Sequence, residues 1–414
     1  MALLCFNDDL DFYRSEIMSK YTQDYLKTFS LMEGFDFDSG TLFNFNIHER
    51  TSLRKINPII RKANVDDIDE IIFTYRDVYE GSYPYKEMED HEFIRDMLER
   101  DDIEWFVFIH PKTKEMCGSF TFVLDFEEKR GYARGLIVKK KFIGEFDILK
   151  ACIGCYVSNY IKYDGKIFRW YSENRTAHAK VQYVTRHGGF HPVAIYPNKD
   201  NFFEKPESDV LAICYDMIAL TEMRSVKVPC IISEVVGVFK YSDERYNLGE
   251  YEIYHSIPQF DSTTVNELMH RLNIEVSRDN FGYEKYKIFI KGTDSFISFL
   301  HTPRVQNIEK TKYQISDINE LYVLANQLIK QSRSLKVRYI EVFVSAHKPE
   351  HQKIFFELGL SPRGYIPSWR YNKNEDSFED YIVFNQYHGK IDENIQLMDE
   401  EQELLCCLRL NTFY

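Results

Sequence analysis

Residues 167–196 read IFRWYSENRTAHAKVQYVTRHGGFHPVAIY, and three elements of secondary structure follow one another within this stretch. The apolar run at 167–171 predicts a strand, residues 177–187 predict a helix, and residues 192–196 predict a second strand. Strands that alternate with helices are typical of a partly parallel sheet with helices on its faces. Such sheets bind ligands beyond the carboxyl ends of their strands, so the polar residues after Tyr171 are the first candidates for a site.

The same alternation continues on both sides of this stretch. Before it, helices are predicted at 65–79, where Asn64 is the expected cap, at 88–100 and at 146–160, with strands at 59–63, 105–109, 118–124 and 135–138. After it, strands are predicted at 286–290, 295–300, 308–315, 338–344 and 381–385, with helices at 317–332 and 349–358. We therefore expect an α/β fold with a mixed sheet, in which the second half repeats part of the first. The expected organisation is a helical leader at 1–56 and two similar domains at 57–228 and 229–414.

Composition and charge exclude several classes of protein. Hydrophobic residues make up 44% of the 414 residues, which is ample for a core and excludes intrinsic disorder for most of the chain. The net charge of −13 disfavours general binding to phosphate backbones. No apolar run is long enough to span a membrane, the N-terminus lacks the pattern of a signal peptide, and eight cysteines are too few for a disulfide framework. We therefore expect a cytoplasmic protein.

Residues 174–190 carry a recognisable pattern: Asn174 follows the predicted strand, Tyr183 lies on the helix, and Gly189 and Phe190 precede the next strand. This segment resembles the GNAT superfamily of acyl-CoA-dependent acyltransferases. Members of that family often use the helical tyrosine as the general acid toward the departing thiolate of CoA. The asparagine commonly lies beside the pantetheine arm. The resemblance therefore implies a catalytic role for Tyr183 and a cofactor-binding role for Asn174.

A second segment of the chain resembles the same family. Residues 346–360, AHKPEHQKIFFELGL, follow the pattern with Gly359 and Leu360 in place of Gly-Phe. The continuation GYIPSWRY at 364–371 resembles the ending of β-lysine N-acetyltransferase-type members, and Trp369 within it is assigned to the substrate site. The two resemblances cover roughly residues 58–200 and 284–386.

The turn that would hold the diphosphate of CoA departs from the family pattern. GNAT enzymes use a glycine-rich turn after the fourth strand, where backbone N–H groups at a helix N-terminus face the phosphates. Here residues 138–148 read VKKKFIGEFDI, and Gly144 alone remains of the family's glycines. We assign cofactor binding to Val138, Lys139, Lys140, Lys141 and Gly144, with the lysine charges compensating for the lost glycines. In the second half, residues 313–319 contain no glycine and Asp317 would repel phosphate, so CoA is expected in the first half alone.

Transfer of an acyl group to an amine needs a group that accepts the amine proton. Glu173, at the end of the predicted strand, is the leading candidate, and Asp125 and Glu127 are next. Tyr171 and Arg175 lie in the same polar and aromatic cluster, and we assign them to the substrate site because an arginine can hold a carboxylate or a phosphate. Each assignment has a plainer alternative: an exposed carboxylate, a core tyrosine, or an arginine in a structural ion pair.

No metal site is expected. His178, His187 and His191 do not share one face of a helix, and Cys152 and Cys155 lack a second pair at the spacing of a zinc site. The two cysteines are expected to be buried in a helix as small apolar residues.

The resulting hypothesis is a tandem GNAT-like N-acyltransferase. It would move an acyl group, expected to be acetyl, from acyl-CoA to a primary amine of a small metabolite, an amino acid or a peptide. Two alternatives stay open: a Fem-type or other acyltransferase with a donor other than CoA, and a non-catalytic binding or scaffold protein with a GNAT fold. A sheet that parts between Val138 and Trp170 would favour the enzyme. No nucleic-acid partner is expected, and a homodimer is one expected assembly.

Overall fold

The structure is a computed structural model, and it describes residues 4–5, 41–42, 45–46, 56, 58–391 and 395–408. The predicted leader helix lies outside these residues. The described chain forms two compact units. Unit 1 contains the described residues up to Asn174, with Ala179–His191 and Ala212–Ala219. Unit 2 contains Arg175–His178, Pro192–Leu211 and the described residues from Leu220 onward.

Strands and helices alternate along most of the described chain. The strands are β1 (Leu4–Cys5), β2 (Thr41–Leu42), β3 (Phe45–Asn46), β4 (Ile59–Lys62), β5 (Ile103–Ile109), β6 (Met116–Asp125), β7 (Arg130–Val138), β8 (Arg169–Arg175), β9 (His191–Phe202), β10 (Lys205–Tyr215), β11 (Cys230–Ile232), β12 (Glu252–Tyr254), β13 (Leu272–Arg278), β14 (Glu284–Ile290), β15 (Phe296–Thr302), β16 (Asn307–Gln314), β17 (Tyr339–Ser345), β18 (Ser361–Asn372) and β19 (Ser377–Tyr387). The helices are α1 (Ile68–Tyr79), α2 (His91–Glu99), α3 (Ile148–Lys162), α4 (Lys180–His187), α5 (Met217–Leu220), α6 (Val236–Tyr246), α7 (Ser262–His270), α8 (Ile318–Ser334), α9 (Pro349–Glu357) and α10 (Asp399–Cys407). These elements confirm the predicted mixed α/β fold class.

Local sequence signals account for several helix starts. The Asn64 side chain accepts a hydrogen bond from the Asp66 N–H at 2.9 Å, as its expected capping role requires. A short 3-10 turn at Val65–Asp67 precedes α1, so the predicted helix begins slightly later than expected. Asp317 caps α8 through the Asn319 N–H at 2.8 Å. No helix of the described residues is both long and apolar enough to cross a membrane.

The sheet of unit 1 has the order β2-β4-β5-β6-β7-β8. Its strands pair antiparallel up to β7, and β8 then joins β7 in parallel. The β6–β7 register shifts between Ser119 and Thr121, so β7 carries a bulge near Gly135. Gly135 has φ +64°, and a Cβ there would lie 2.7 Å from the Tyr75 hydroxyl. The bulge therefore needs glycine for its conformation and for the close approach of α1.

Helix α3 packs on one face of this sheet through aromatic side chains. The Tyr156 ring meets Phe120 and Phe122 edge to face, at centroid distances of 5.4 and 5.7 Å. Phe122 meets Trp170 in the same way at 5.9 Å. Cys152 and Cys155 are buried in α3, as expected, and burial raises the pKa of both thiols. This face is filled by the core, so any cleft must open on the other side of the sheet or at its ends.

Unit 2 contains a sheet of the order β13-β14-β15-β16-β17-β19-β18-β9, to which the first part of β10 is added. Its parallel pair is β16 with β17, and the described ladder joins two residues of each strand. Strands β9 and β18 approach closely at Gly364, where a Cβ would lie 2.2 Å from the Val193 carbonyl oxygen. The strands β10, β13 and β18 and the helix α6 were not among the elements predicted from the sequence. The expected domain boundary at 228 and 229 stays a prediction.

Candidate active site

A cleft opens in unit 1 where β7 and β8 part. Their parallel ladder joins Arg130 to Arg169 and ends at the pair Tyr132 and Tyr171, although β7 continues to Val138. Past that point no described pairing joins the two strands. The carboxyl ends of two neighbouring parallel strands thus lie apart, which is where α/β sheets bind their ligands.

Two tyrosines and a glutamate form one wall of this cleft. The rings of Tyr132 and Tyr171 are stacked, with centroids 4.6 Å apart and planes 7° from parallel. The Tyr132 hydroxyl donates a hydrogen bond to Glu173 Oε2 at 3.1 Å. Side chains alternate along a strand, so residues 132 and 134 of β7 and residues 171 and 173 of β8 face the same side. The structure therefore brings the predicted Tyr171 and Glu173 together.

Arg134 lies beside this wall and was not among the site residues predicted from the sequence. Its guanidinium lies 5.6 Å from the centroid of the Tyr132 ring. Within the described part of the chain, Arg134 makes neither a hydrogen bond nor an ion pair. Burial by itself would lower the pKa of Arg134, but Tyr132, Tyr83 and Tyr75 raise it, with Glu87 contributing in the same direction. The guanidinium therefore stays charged and keeps its donors for another partner.

Helix α1 and the turn after it contribute further tyrosines. Tyr83 packs against Tyr75 at 5.0 Å, against Tyr79 at 4.4 Å and against Tyr85 at 5.6 Å between ring centroids. Tyr75 and Tyr83 are buried and lie within electrostatic reach of Arg134. The signal that could have identified this surface is four tyrosines within 75–85.

Tyr183 projects from α4 and is 42% exposed. Partial burial raises the pKa of its hydroxyl, and the Asp147 carboxylate raises it further. The phenol is thus protonated at neutral pH and can donate its proton. Its ring packs on His187 at 4.1 Å, and the Tyr183 carbonyl oxygen lies 2.7 Å from His187 Nδ1. Tyr183 is therefore not buried in the core, and its role as a proton donor stays a prediction.

Asn174 is buried and bound to its surroundings. Its Nδ2 donates to Thr185 Oγ1 at 2.8 Å, and its Oδ1 accepts from the Ser172 hydroxyl at 3.1 Å. The first bond ties the end of β8 to α4, the helix that carries Tyr183. In the structure, Asn174 therefore positions α4 against the strand.

Three predicted site residues lie away from this cleft or outside unit 1. Asp125 accepts the Glu128 N–H at 3.0 Å and lies 3.6 Å from Arg130, at the start of β7. That end of β7 lies four residues before Arg134, a distance of roughly 13 Å along the strand. Arg175 belongs to unit 2, where Glu207 binds its guanidinium through two hydrogen bonds of 2.7 and 2.8 Å. Trp369 also belongs to unit 2 and stacks on Phe343 at 5.5 Å.

The lysine run after β7 is already balanced by carboxylates. Lys139 is buried, and its ammonium lies against α1. The Lys140 N–H also donates to Asp77 Oδ2 at 2.9 Å. Each ammonium would have to give up a carboxylate before it could neutralise a phosphate, and that carboxylate would repel the phosphate. The ion pairs are Lys139 with Glu70, Lys140 with Glu80 and Lys141 with Glu115.

Four backbone N–H groups of the turn before α3 are engaged as well. The N–H groups of Glu145 and Phe146 donate to the Phe142 carbonyl oxygen at 3.2 and 3.1 Å. The Ile148 N–H donates to the Phe146 carbonyl oxygen at 3.0 Å, and the Asp147 N–H donates to the Ile56 carbonyl oxygen at 3.0 Å. Ile56 donates in return to the Glu145 carbonyl oxygen at 2.8 Å and forms a parallel bridge with Phe146. The chain that precedes β4 therefore uses donors that a diphosphate would need.

A carboxylate also occupies the N-terminus of α3. Asp147 is 2% exposed, and its Oδ1 accepts the Lys150 N–H at 3.3 Å. A negative side chain at a helix N-terminus takes the place that favours a bound anion. Gly144, with φ +90° and no heavy atom within 4 Å of a Cβ, leaves open space in this turn. The residues of this turn do not fit the diphosphate of CoA in the way that the resemblance implies.

No group of histidine, cysteine, aspartate and glutamate residues suited to a metal ion occurs among the described residues. No protein-family model matches the chain, and no curated protein matches it.

The chain is similar to solved structures of N-acetyltransferases over about two fifths of its length. A spermidine N-acetyltransferase variant from Vibrio cholerae matches with a TM-score of 0.34 and 12% identity, covering 39% of this chain and 96% of its own. A ribosomal-protein-S5-alanine acetyltransferase from Vibrio fischeri matches with a TM-score of 0.33 and 13% identity, covering 38% and 92%. The Vibrio cholerae spermidine enzyme in complex with CoA and spermine matches with a TM-score of 0.33 and 12% identity, covering 38% and 94%.

Proposed function

We propose that unit 1 transfers an acyl group, with acetyl as the expected group, to a primary amine bound in the cleft between β7 and β8. The observation that supports this function is the parting of the two strands with the Glu173 carboxylate at the opening. A scaffold protein has no need of a polar gap in its sheet. The acceptor would be the amine of a small metabolite, an amino acid or a peptide.

Residues of unit 1 can supply both proton transfers. An amine attacks only when it is neutral, so a group must accept the proton of the ammonium form. Glu173 can accept it directly or through the hydroxyl of Tyr132, which already donates to its Oε2. Tyr183 holds a proton at neutral pH and can release it to a leaving group. Tyr171 supports this wall through its stacking on Tyr132.

Acyl-CoA is the donor that the family resemblance implies, and one of the similar solved structures contains CoA. We propose it as the first donor to test, although the turn before α3 does not offer its diphosphate the usual backbone donors. In unit 2, the corresponding helix α8 begins with the Asp317 cap, and its first turn carries Glu320. We therefore place neither the donor nor the chemistry in unit 2.

The occupied turn before α3 favours a second candidate function. An acyltransferase with a donor other than CoA, such as a Fem-type enzyme, has no need of a diphosphate site there. A non-catalytic protein that kept the fold would also tolerate Asp147 and the pairing with Ile56. Both remain alternatives, and donor binding separates them from the first proposal.

The test combines donor binding with product detection. The protein is titrated with acetyl-CoA by calorimetry and then incubated with acetyl-CoA and a panel of primary amines, with products identified by mass spectrometry. We expect transfer to at least one amine, and we expect Glu173→Gln to lower kcat about a hundredfold or more. The matched control is Glu99→Gln, because Glu99 is an exposed glutamate at the end of α2.

Two outcomes would contradict the proposal. Equal kcat for Glu173→Gln and Glu99→Gln would remove Glu173 from the chemistry. An absence of both binding and transfer with acetyl-CoA and longer acyl-CoAs would leave the non-CoA donor and the non-catalytic protein as the remaining functions.

A further inference from the structure

The guanidinium of Arg134 is the most unusual feature of the cleft. It lies over the Tyr132 ring, and it has no hydrogen bond or ion pair within the described part of the chain. Elsewhere in unit 1, arginines make such bonds: Arg61 binds Asp67 with two hydrogen bonds of 2.6 and 2.7 Å, and Arg100 binds Asp102. A partly buried guanidinium without an acid is costly, and a binding site for an anion explains why one is kept.

The neighbours of Arg134 define what kind of anion would fit. Glu87 is buried and lies within electrostatic reach of Arg134, and Glu173 accepts a hydrogen bond from the hydroxyl of Tyr132, whose ring contacts Arg134. Two carboxylates would repel a doubly charged phosphate more strongly than a carboxylate with one charge. The planar fork of a guanidinium also matches a carboxylate through two parallel hydrogen bonds. The site therefore favours a carboxylate.

The other end of such a ligand would meet Glu173. The Glu173 carboxylate attracts an ammonium group, while Arg134 repels a second positive charge on the same molecule. Tyr132 links the two, since its ring contacts Arg134 and its hydroxyl contacts Glu173. Opposite charges on the protein thus contact one aromatic side chain, the guanidinium at its ring and the carboxylate at its hydroxyl.

We propose that the cleft of unit 1 binds a small zwitterion, an amino acid or an ω-amino acid, with its carboxylate on Arg134 and its amine toward Glu173. This inference deepens the proposed function, because the same amine would be the acyl acceptor. The tyrosines of α1 and its following turn would surround the carbon chain between the two charged groups. A diamine without a carboxylate would bind more weakly, because it brings a second positive charge to Arg134.

Binding without any donor tests the inference independently of acyl transfer. Calorimetry is carried out with the full chain and two homologous series: ω-amino acids from glycine to 6-aminohexanoate, and alkylamines of the same chain lengths. We expect at least one ω-amino acid to bind tenfold or more tightly than its alkylamine, because a charge-assisted pair of hydrogen bonds contributes about that much. Equal affinities across the two series would overturn the inference.

Variants of Arg134 provide the second measurement. Arg134→Met should weaken the amino acid about tenfold to a hundredfold and leave the alkylamine unchanged, whereas Arg134→Lys should retain part of the preference. Arg95→Met is the matched control, because Arg95 is an exposed arginine on α2 that pairs with Glu92. An equal loss for both ligand series in Arg134→Met would overturn the inference. Arg134→Lys keeps the charge, so it provides the test if Arg134→Met fails to fold.

The two proposals fail in different ways. If ω-amino acids bind as expected but no donor supports transfer, the zwitterion site stands and the acyltransferase is wrong. If alkylamines are acylated as efficiently as ω-amino acids, the acyltransferase stands and the zwitterion site is wrong.

Discussion

Gly135 joins the fold of unit 1 to its cleft, and replacing it with alanine should destabilise the protein strongly. The residue sits in the bulge of β7 directly after Arg134, with φ +64°. A side chain in the left-handed region costs about 1–2 kcal/mol. The added Cβ would also lie 2.7 Å from the Tyr75 hydroxyl and 3.6 Å from Thr121 Oγ1.

The close approach to Tyr75 is the larger part of the expected effect. Tyr75 is 1% exposed, so its hydroxyl has little room to move. Overpacking of a filled interior costs about 1–3 kcal/mol. The two contributions give a total of about 2–5 kcal/mol for Gly135→Ala. The structure offers a control in Gly144→Ala, where φ is +90° but no heavy atom lies within 4 Å, so about 1–2 kcal/mol is expected.

The assay is urea unfolding of four proteins: wild type, Gly135→Ala, Tyr75→Phe and the double variant. Phenylalanine removes the hydroxyl that the new Cβ would meet, so Gly135→Ala should cost less in the Tyr75→Phe background. We expect that difference to be about 1 kcal/mol or more. Equal free energies of unfolding for Gly135→Ala and Gly144→Ala would refute the packing of α1 against this bulge.

Two further predictions concern charged groups elsewhere in the protein. Asp147→Asn keeps an acceptor for the Lys150 N–H but removes a negative charge from the start of α3, so the affinity for acetyl-CoA should rise at least about threefold by calorimetry; an unchanged affinity would show that this carboxylate does not oppose the donor. Burial and the neighbouring Lys348 lower the pKa of His351 from 6.5 to about 4 in unit 2. As the pH falls, His351 takes up its proton at a higher pH in the unfolded chain than in the folded chain. The free energy of unfolding should therefore decrease from about pH 7 to about pH 4, by up to about 3 kcal/mol. His351→Gln should lose correspondingly less over the same range in urea unfolding, and identical pH profiles would contradict this.

The amino-acid sequence was sufficient for the features that depend on neighbours along the chain. Asn64 caps the start of its helical segment through an N–H group two residues away, so a short-range pattern predicted it. The apolar run at 167–171 was likewise enough to place Tyr171 and Glu173 near the end of a strand. The loss of glycines at 138–148 could also be recognised from the sequence, because the conformational needs of such a turn are local.

The side-chain partners were decided by contacts between distant parts of the chain. Lys139 meets Glu70, Arg175 meets Glu207, and the turn before α3 meets Ile56, in each case across at least thirty residues of sequence. Nothing in the local pattern distinguishes a lysine that is free to bind phosphate from one that already faces a carboxylate. Arg134 is the opposite case, a charged side chain that forms no hydrogen bond or ion pair within the described residues. The sequence gives no sign of this, because nothing near Arg134 along the chain indicates it. A charge acquires its role from the groups that folding brings next to it, and that arrangement exists in the tertiary structure alone.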